Sequence, residues 1–296
     1  MKKKLENIVF IGLGKMGLPM SKRLIESGYE IYGYDLNKTS LKKFSKNGGK
    51  PKNDIKHIAS YSNIFILMLP NGKIVKRVVN EILEFRKSKY LPTFIDMSSS
   101  NPLSTLEIFN KLKNKLYLID APVSGGVKKA INGKLSIMVS GNKKIINKNL
   151  PILKIMGSNI VETGSLGSAH AMKAINNYVS ATGLMAAIEA LIIGKSFGID
   201  QKTVNKVLNV SSGKNNATEN KINQFVISKK FSSGFSLELM EKDINIAKNL
   251  SKNLNLNAKG LNFAANYWSN AKKNLQKGSD HTKIFDYINE ISTKKK

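Results

Sequence analysis

Several residue types are scarce in this chain of 296 residues. It has no cysteine, which excludes disulfide bonds and metal sites built from thiolates. Its three histidines, His57, His170 and His281, are scattered along the sequence, so we expect no bound metal. Acidic residues are also few, because 20 Asp and Glu stand against 48 Lys and Arg and leave a formal charge of +28.

The excess of positive charge allows two interpretations. A strongly basic chain can bind nucleic acid or acidic membranes. Here lysines occur in every segment, and the sequence contains no module that combines arginine with aromatic residues for nucleic-acid recognition. We therefore favour a general compositional bias over a nucleic-acid partner, and we expect the charge to attract a small anionic substrate. The closing lysines 294–296 are expected to be a frayed, solvated end.

Long hydrophobic runs are missing as well. Uninterrupted apolar stretches such as residues 64–69 are far shorter than a segment that spans a bilayer. The basic residues 2–4 and the apolar residues 8–13 superficially match a signal peptide. That run is short, is interrupted by glycine and has no small-residue cleavage site. We expect a cytoplasmic protein without a membrane partner.

A glycine pattern follows the first predicted strand, residues 7–12. It reads Gly12-Leu13-Gly14-Lys15-Met16-Gly17 and opens a helix that stops at Gly28. The first glycine permits a tight turn, the second lets the backbone approach a pyrophosphate, and the third lets helix and strand pack closely. This pattern is typical of a dinucleotide site, and these six residues are its predicted cofactor contacts.

The end of the second predicted strand, residues 30–35, supports the same interpretation. Asp35 lies about twenty positions after the glycines, where a carboxylate binds the hydroxyl groups of the adenosine ribose. A carboxylate also repels a 2′-phosphate, which favours NAD over NADP. Asn37 and Lys38 come directly afterwards, so NADP is not excluded.

Strands and helices then alternate, which predicts a largely parallel sheet with right-handed crossovers. In such sheets ligands lie at the carboxyl ends of the strands, so Leu69, Pro70 and Ser98 are placed to line the cofactor cleft. Ser124, Gly125 and Gly126 offer a hydroxyl and open backbone N–H groups, which suit a carboxylate.

The second half of the chain is predicted to be helical. A long apolar helix at about 165–194, drawn from the stretch Gly164 to Gly194, carries Lys173 and Asn177 one turn apart on one face. We therefore expect an α/β Rossmann-type domain at 1–163 and an all-α domain for substrate binding and oligomerisation at 164–296, with the long helix joining them. We expect Lys173 and the active site near this junction.

Four ordered motifs resemble those of the β-hydroxyacid dehydrogenases, the group that contains 3-hydroxyisobutyrate dehydrogenase and tartronate semialdehyde reductase. They are FIGLGKMGLPM at 10–20, DAPVSGG at 120–126 with Gly133, KAINN at 173–177 and Lys242-Asp243. The resemblance covers nearly the whole chain. It departs at Arg23, at Gly167-Ser168-Ala169 in place of G-x-G, and at His170, where the family commonly has Gln; we expect His170 to support helix packing.

The resemblance implies roles for these positions. Lys173 would be the general acid and base, Asn177 would hold the substrate, and Ser124, Gly125 and Gly126 would bind its carboxylate. Lys242 and Asp243 would lie near the cofactor, with Lys242 also near the substrate. Lysine can work in both directions when desolvation and neighbouring positive charge lower its pKa.

The implied function is an NAD-dependent dehydrogenase that interconverts a small 3-hydroxy acid, similar to 3-hydroxyisobutyrate, and its semialdehyde. One alternative is a reductase of tartronate, succinic or sulfonated semialdehyde. An alternative from another class is a non-catalytic dinucleotide-binding protein whose basic surface binds nucleic acid. The apolar helices, including 237–254, also predict a homodimer or homotetramer formed through the second domain.

Overall fold

The computed structural model describes residues 6–293, and the chain divides into two compact units, Met1–Lys173 and Ala174–Lys296. Residues 1–5, which include the basic residues 2–4, and the lysines 294–296 lie outside the described residues. We call the two parts unit 1 and unit 2, and each is described by itself.

The described part of unit 1 forms one sheet of nine strands. Their order is β3-β2-β1-β4-β5-β6-β8-β7, with β9 beside β8. Strands β1 to β6 run parallel to one another, and β8 is antiparallel to its neighbour β6, which confirms the predicted, largely parallel α/β sheet. The strands are β1 (Ile8–Ile11), β2 (Ile31–Tyr34), β3 (Lys50–Lys52), β4 (Ile64–Leu67), β5 (Thr93–Asp96), β6 (Tyr117–Asp120), β7 (Val123–Ser124), β8 (Leu135–Gly141) and β9 (Gly157–Gly164).

Both faces of this sheet are buried. Ile8 and Phe10 of β1 belong to one apolar core, and Val9 and Ile11 belong to another. Successive side chains of a strand point to opposite faces, so a strand covered on both sides is apolar at every position. This is why β1 and β4 read as continuous hydrophobic runs.

Helices of unit 1 cover the two faces, and asparagine begins several of them. Asn37, Asn71, Asn101 and Asn142 each accept a hydrogen bond from a backbone N–H of the first turn. The helices are α1 (Gly17–Glu26), α2 (Lys38–Lys46), α3 (Ile55–Ile58), α4 (Gly72–Phe85), α5 (Pro102–Leu112), α6 (Gly126–Ile131) and α7 (Lys143–Met156).

Six of these elements were not predicted from the sequence: β3, β7, α3, α5, α6 and α7. Strand β3, with sequence KPK, contains a proline, which sheets accept at an edge, and β3 is an edge strand. Helix α7 contains Pro151, a residue that ordinarily ends a helix. In both places local sequence signals oppose the structure that packing produces.

Unit 2 is helical, as expected. Its core surrounds the fully buried Trp268. Residues 218–227 form a π-helix where the sequence predicts an ordinary helix at 217–227. The other helices are the remainder of α8 (Ser168–Ser196), then α9 (Gln201–Val210), α10 (Leu237–Asn253), α11 (Lys259–Asn274) and α12 (Ile284–Thr293), with a 3₁₀ turn at His281–Lys283.

Helix α8 begins at Ser168, three residues after the start predicted at about residue 165. Gly164 and Gly167 both have positive φ, at 115° and 91°, and these values end regular helix geometry on that side. By length and composition α8 could cross a membrane, although no uninterrupted apolar run indicated this. Of its most apolar window 44% is buried, and the buried apolar side chains from Ala174 onward belong to the core of unit 2, as in core helices of globular proteins.

Candidate active site

The glycine loop after β1 separates into packed and open positions. A Cβ on Gly12 would lie 2.2 Å from the carbonyl oxygen of Met68, and Gly12 has a φ of 94°. A Cβ on Gly17 would lie 1.8 Å from the carbonyl oxygen of Gly12, so the start of α1 needs a glycine there. A Cβ on Gly14 would meet nothing within 4 Å. The exposed backbone at Gly14 therefore leaves room for a ligand at the first turn of α1, whose leading N–H groups lack intrahelical acceptors.

Asp35 is tied to that loop. Its Oδ2 accepts a hydrogen bond from the backbone N of Leu13 at 2.6 Å, and its Oδ1 accepts one from the N of Asn37 at 2.7 Å. The carboxylate thus lies where β2 ends, beside the glycine turn at the end of β1. This arrangement fits a carboxylate that receives ribose hydroxyls, because each carboxylate oxygen can accept more than one hydrogen bond.

The loops after β4 and β5 are joined by Ser98. Its hydroxyl accepts a hydrogen bond from the backbone N of Leu69 at 2.9 Å and donates to the carbonyl of Leu67 at 3.4 Å. Ser98 is fully buried, whereas Pro70 is exposed. The serine therefore fixes the shape of the loop at Leu69, and direct contact of its side chain with a cofactor stays a prediction.

The Ser124-Gly125-Gly126 segment connects β7 to α6. Gly125 has a φ of 132° and Gly126 a φ of 69°, conformations that favour glycine. Both glycines are exposed, and a Cβ on Gly126 would meet nothing within 4 Å. The backbone is therefore open to a small anion here, and carboxylate binding by this segment stays a prediction.

Helix α8 carries Lys173 and Asn177 one turn apart. Lys173 is 8% exposed and is the one buried lysine among residues 6–293. Asn177 donates from Nδ2 to Oδ2 of the buried Asp243 at 2.6 Å. The other oxygen of that carboxylate, Oδ1, lies 3.5 Å from Nζ of Lys242. Within unit 2, Asn177 and Lys242 are therefore connected through the buried carboxylate of Asp243.

A buried polar network, which we call the Asp120 network, surrounds the first turn of α8 in unit 1. Asp120 accepts hydrogen bonds from the backbone N of Gly167 and of His170, both at 2.9 Å, and from the hydroxyl of Ser140. The Ser140 hydroxyl in turn accepts one from the N of Ala169 at 3.1 Å. These partners come from β6 and β8, so strand ends hold the helix at its start.

The ring of His170 belongs to the same network. Nδ1 lies 2.8 Å from the hydroxyl oxygen of Thr105, and Nε2 lies 3.1 Å from the carbonyl oxygen of Ser98. The carboxylates of Asp96 and Asp120 each lie 3.7 Å from one ring nitrogen. His170 is 1% exposed, which agrees with its expected packing role.

Sequence reasoning missed Asp96, Thr105 and Ser140, and it gave Asp120 no role beyond its place in a motif. One signal was available. Asp96 and Asp120 end two strands, and these strands proved to be adjacent and aligned with the two residues as register partners. Carboxylates at neighbouring carboxyl ends of parallel strands lie where sites of α/β proteins form.

Two family models match the chain. The model of the NAD-binding domain of 6-phosphogluconate dehydrogenase matches residues 7–164. The model described as the NAD-binding part of NADP-dependent 3-hydroxyisobutyrate dehydrogenase matches residues 167–288. Together the two matches cover most of unit 1 and most of unit 2.

Curated proteins and solved structures agree with these matches. The 2-(hydroxymethyl)glutarate dehydrogenase of Eubacterium barkeri is 34% identical over 253 residues, which cover 84% of this chain and 83% of that protein. The human mitochondrial 3-hydroxyisobutyrate dehydrogenase is 33% identical, with coverages of 81% and 74%. A structure of the Mycobacterium tuberculosis 3-hydroxyisobutyrate dehydrogenase with L-serine is 25% identical, superimposes with a TM-score of 0.88, and covers 96% of this chain and 99% of that chain.

Proposed function

Since this chain belongs to the β-hydroxyacid dehydrogenase family, we propose that it interconverts a small 3-hydroxy acid and its semialdehyde with Lys173 as the general acid and base. The chain is an NAD(P)-dependent oxidoreductase that acts on the hydroxyl group of a 3-hydroxy acid. The observation that carries the role of Lys173 is its burial, since the other lysines among residues 6–293 are at least partly exposed. Removing an ammonium group from water is energetically costly. Buried ionisable groups of this kind cluster in active sites.

The residues of the glycine loop fit the cofactor. The backbone at Gly14 is open, the packing at Gly12 and Gly17 allows the loop to turn tightly, and Asp35 offers a carboxylate at the end of β2. When bound, the nicotinamide supplies the hydride acceptor or donor. We propose NAD as the preferred cofactor, because the Asp35 carboxylate would repel the 2′-phosphate of NADP.

The other predicted site residues act on the substrate. Lys173 Nζ takes the hydroxyl proton during oxidation and returns a proton to the developing alkoxide during reduction. Asn177, held by Asp243 and one helical turn away, orients the hydroxyl-bearing part of the substrate. The open backbone of Ser124 to Gly126 receives the carboxylate, and Lys242 adds positive charge. These roles suit a small hydroxy acid, and the names of the relatives indicate a hydroxyl group on the third carbon.

The test measures NADH formation with NAD and a panel of short 3-hydroxy acids that includes 3-hydroxyisobutyrate and 2-(hydroxymethyl)glutarate. Lys173→Ala is expected to lower kcat by about 10²- to 10⁴-fold, the usual contribution of a general acid–base group. It should leave NADH binding within about twofold, because a cofactor site needs no proton transfer.

The matched control is Lys195→Ala, which removes an exposed lysine from the same helix. This variant is expected to keep wild-type kinetics. An equal loss of kcat in both variants would refute the role of Lys173, and wild-type protein that turns over no acid or aldehyde of the panel would refute the proposed reaction.

The proposal extends to self-association through unit 2. The part of α8 at 174–194 contains a single charged residue, Glu189, in a chain with a formal charge of +28. Two chains with this charge repel each other, so a contact between copies is favoured where charged residues are few. Large apolar side chains are nevertheless exposed along and just after this helix, with Val179 at 62%, Ile193 at 70% and Phe197 at 85%. A second copy of this chain would cover them, which gives a dimer or tetramer.

We propose a cytoplasmic location, as the sequence predicts. Helix α8 has few charged residues because part of it packs in the core of unit 2 and, in our proposal, part of it contacts a second copy of the chain. After lysis and ultracentrifugation without detergent the protein should remain in the supernatant, whereas recovery in the membrane pellet would contradict this location.

A further inference from the structure

The buried Asp120 network ends one helical turn before Lys173. His170 and Lys173 are three residues apart on α8, so they are neighbours on the helix surface. From the arrangement of this network we infer that His170 is a positioning residue, which fixes the first turn of α8 and thereby the location of Lys173. This inference rests on the proposed role of Lys173 as general acid and base.

The first turn of α8 takes its hydrogen-bond acceptors from the sheet. The leading N–H groups of a helix have no acceptor within the helix and need one from elsewhere. Here Gly167 and His170 donate theirs to the Asp120 carboxylate, and Ala169 donates to Ser140. A carboxylate is a strong acceptor and also interacts favourably with the positive end of the helix dipole. Three backbone donors are thus satisfied by strand residues that are themselves fully buried.

The ring of His170 adds two further contacts to this turn. Its Nε2 must donate to the Ser98 carbonyl, because a carbonyl oxygen only accepts, and its Nδ1 meets the hydroxyl of Thr105 on α5. The backbone hydrogen bonds fix the position of the first turn along the helix axis. The ring bonds add an anchor at its side, directed to the β5 loop and to α5, which restricts rotation of the helix about its axis.

Ser98 connects the ring of His170 to the loop at Leu69. Ser98 accepts from His170 through its carbonyl and from the backbone N of Leu69 through its hydroxyl. One residue therefore contacts both the loop predicted to line the cofactor cleft and the helix that bears Lys173. A displacement of about 1 Å at a reacting group can lower a rate by about 100-fold, so such an anchor has a kinetic consequence.

The experiment compares His170→Phe with His170→Gln. Phenylalanine fills the space but cannot form either hydrogen bond, whereas glutamine has an amide N–H that can donate and an amide oxygen that can accept. We expect kcat to fall by about 10- to 100-fold in His170→Phe and to stay within about threefold in His170→Gln. The KM for the hydroxy acid and the dissociation constant of NADH should change by less than about threefold in both, since the binding groups remain.

A matched control is His281→Phe in unit 2, where the original histidine is equally buried at 2% exposed. It is expected to lower the melting temperature without changing kcat at a temperature well below melting. An equal loss of kcat in the His281 and His170 variants would overturn the inference, because the loss would then reflect general damage. Equal kcat in His170→Phe and His170→Gln would overturn it as well.

A readout without turnover separates this inference from the proposed function. Amide hydrogen exchange at residues 167–174 should be at least about tenfold faster in His170→Phe than in wild type, and unchanged at the π-helix, 218–227. Unchanged exchange at 167–174 would overturn the inference even if the enzyme is active. Inactive wild-type protein would refute the proposed reaction and the catalytic consequence, while exchange would still decide whether His170 fixes the turn.

A second variant keeps the test valid if His170→Phe does not fold. Thr105→Val keeps the shape of the side chain and removes only the hydroxyl that meets His170 Nδ1. We expect a smaller loss of kcat, about three- to tenfold, with faster exchange in the same residues. Wild-type kcat and wild-type exchange in folded Thr105→Val would contradict the inference.

Discussion

At the scale of single residues, the glycines of the first loop have different reasons for being glycine. Gly12 is required by the fold, because its positive φ and the nearby Met68 carbonyl exclude a side chain. Gly14 is not required by the fold, because a methyl group there meets no protein atom within 4 Å. The glycine pattern in the sequence does not distinguish these two positions. The structure shows that Gly12 is needed for packing, whereas Gly14 is open to a ligand.

This difference gives a prediction. Gly14→Ala should keep the wild-type melting temperature and raise the dissociation constant of NADH by at least about tenfold, equivalent to about 1.4 kcal/mol. Gly12→Ala should lower the free energy of unfolding by at least about 1–2 kcal/mol, the cost of a left-handed conformation for a residue with a Cβ. Urea unfolding and cofactor titration measure the two effects. The opposite pattern would show that Gly14 does not face the cofactor.

Asp35 is expected to set the preference for NAD over NADP. Asp35→Ser removes the charge that repels a 2′-phosphate and leaves a hydroxyl. We expect the ratio of kcat/KM for NADP to that for NAD to rise by at least about tenfold. Because Asp35 also accepts from Leu13 N, activity with NAD should fall at the same time. An unchanged ratio would mean that selectivity lies elsewhere, and Lys38→Ala would then be the informative variant.

At the scale of elements, the segment after the π-helix is connected to the 3₁₀ turn at 281–283 by Asp280 and His281. Asp280 accepts from the hydroxyls of Ser233 and Thr282 and from the backbone N of Gly234. Burial by itself would raise the pKa of Asp280, but hydrogen bonds from His281 and Thr282 outweigh it and hold that pKa well below its usual value. Burial lowers the pKa of His281, with Lys221 adding to the effect and Asp280 opposing it.

These shifts predict the pH dependence of stability. Below pH 6.5, the ordinary histidine value, the unfolded chain binds a proton at residue 281 that the folded chain resists, so the free energy of unfolding falls. Asp280 acts in the same direction at lower pH, because stability from a depressed carboxyl pKa is lost as acid protonates it. His281→Gln should remove part of the loss between pH 7 and pH 5, as measured by urea unfolding. An identical loss in variant and wild type would contradict this role.

Prediction of elements from sequence succeeded where local signals agree with packing. Strand β1 and helix α10 were predicted at 7–12 and 237–254, within a few residues of their observed bounds, because the apolar pattern lies within the segment itself. Helix α7 was missed even though Asn142 caps it. It packs against β8 and β9 and tolerates Pro151, and such tertiary contacts leave no mark in a local window.

At the scale of the whole molecule, the proposed association depends on one patch of low charge. Phe197→Ser is expected to shift the mass found by light scattering from a multiple of the chain mass towards that of one chain. The matched control is Tyr90→Ser, which removes an aromatic side chain of comparable exposure, 63%, from unit 1. It should leave the mass unchanged. A monomeric wild-type protein would refute the association outright.

The family, the cofactor class and the order of the two units were determined by the sequence alone. Glycine spacing, an acidic strand end and apolar periodicity are local requirements, and they can be read within about thirty residues. The roles of the individual site residues stay predictions, because the motifs name them without testing them.

Only the tertiary structure decided where α8 begins and what holds it. His170 meets Asp120 and Ser98 across 50 and 72 residues of chain, and Asp96 lies beside Asp120 because two strands pair in register. No pattern along the sequence specifies such partners. Buried polar groups must find acceptors wherever packing brings them, and the Asp120 network is the result.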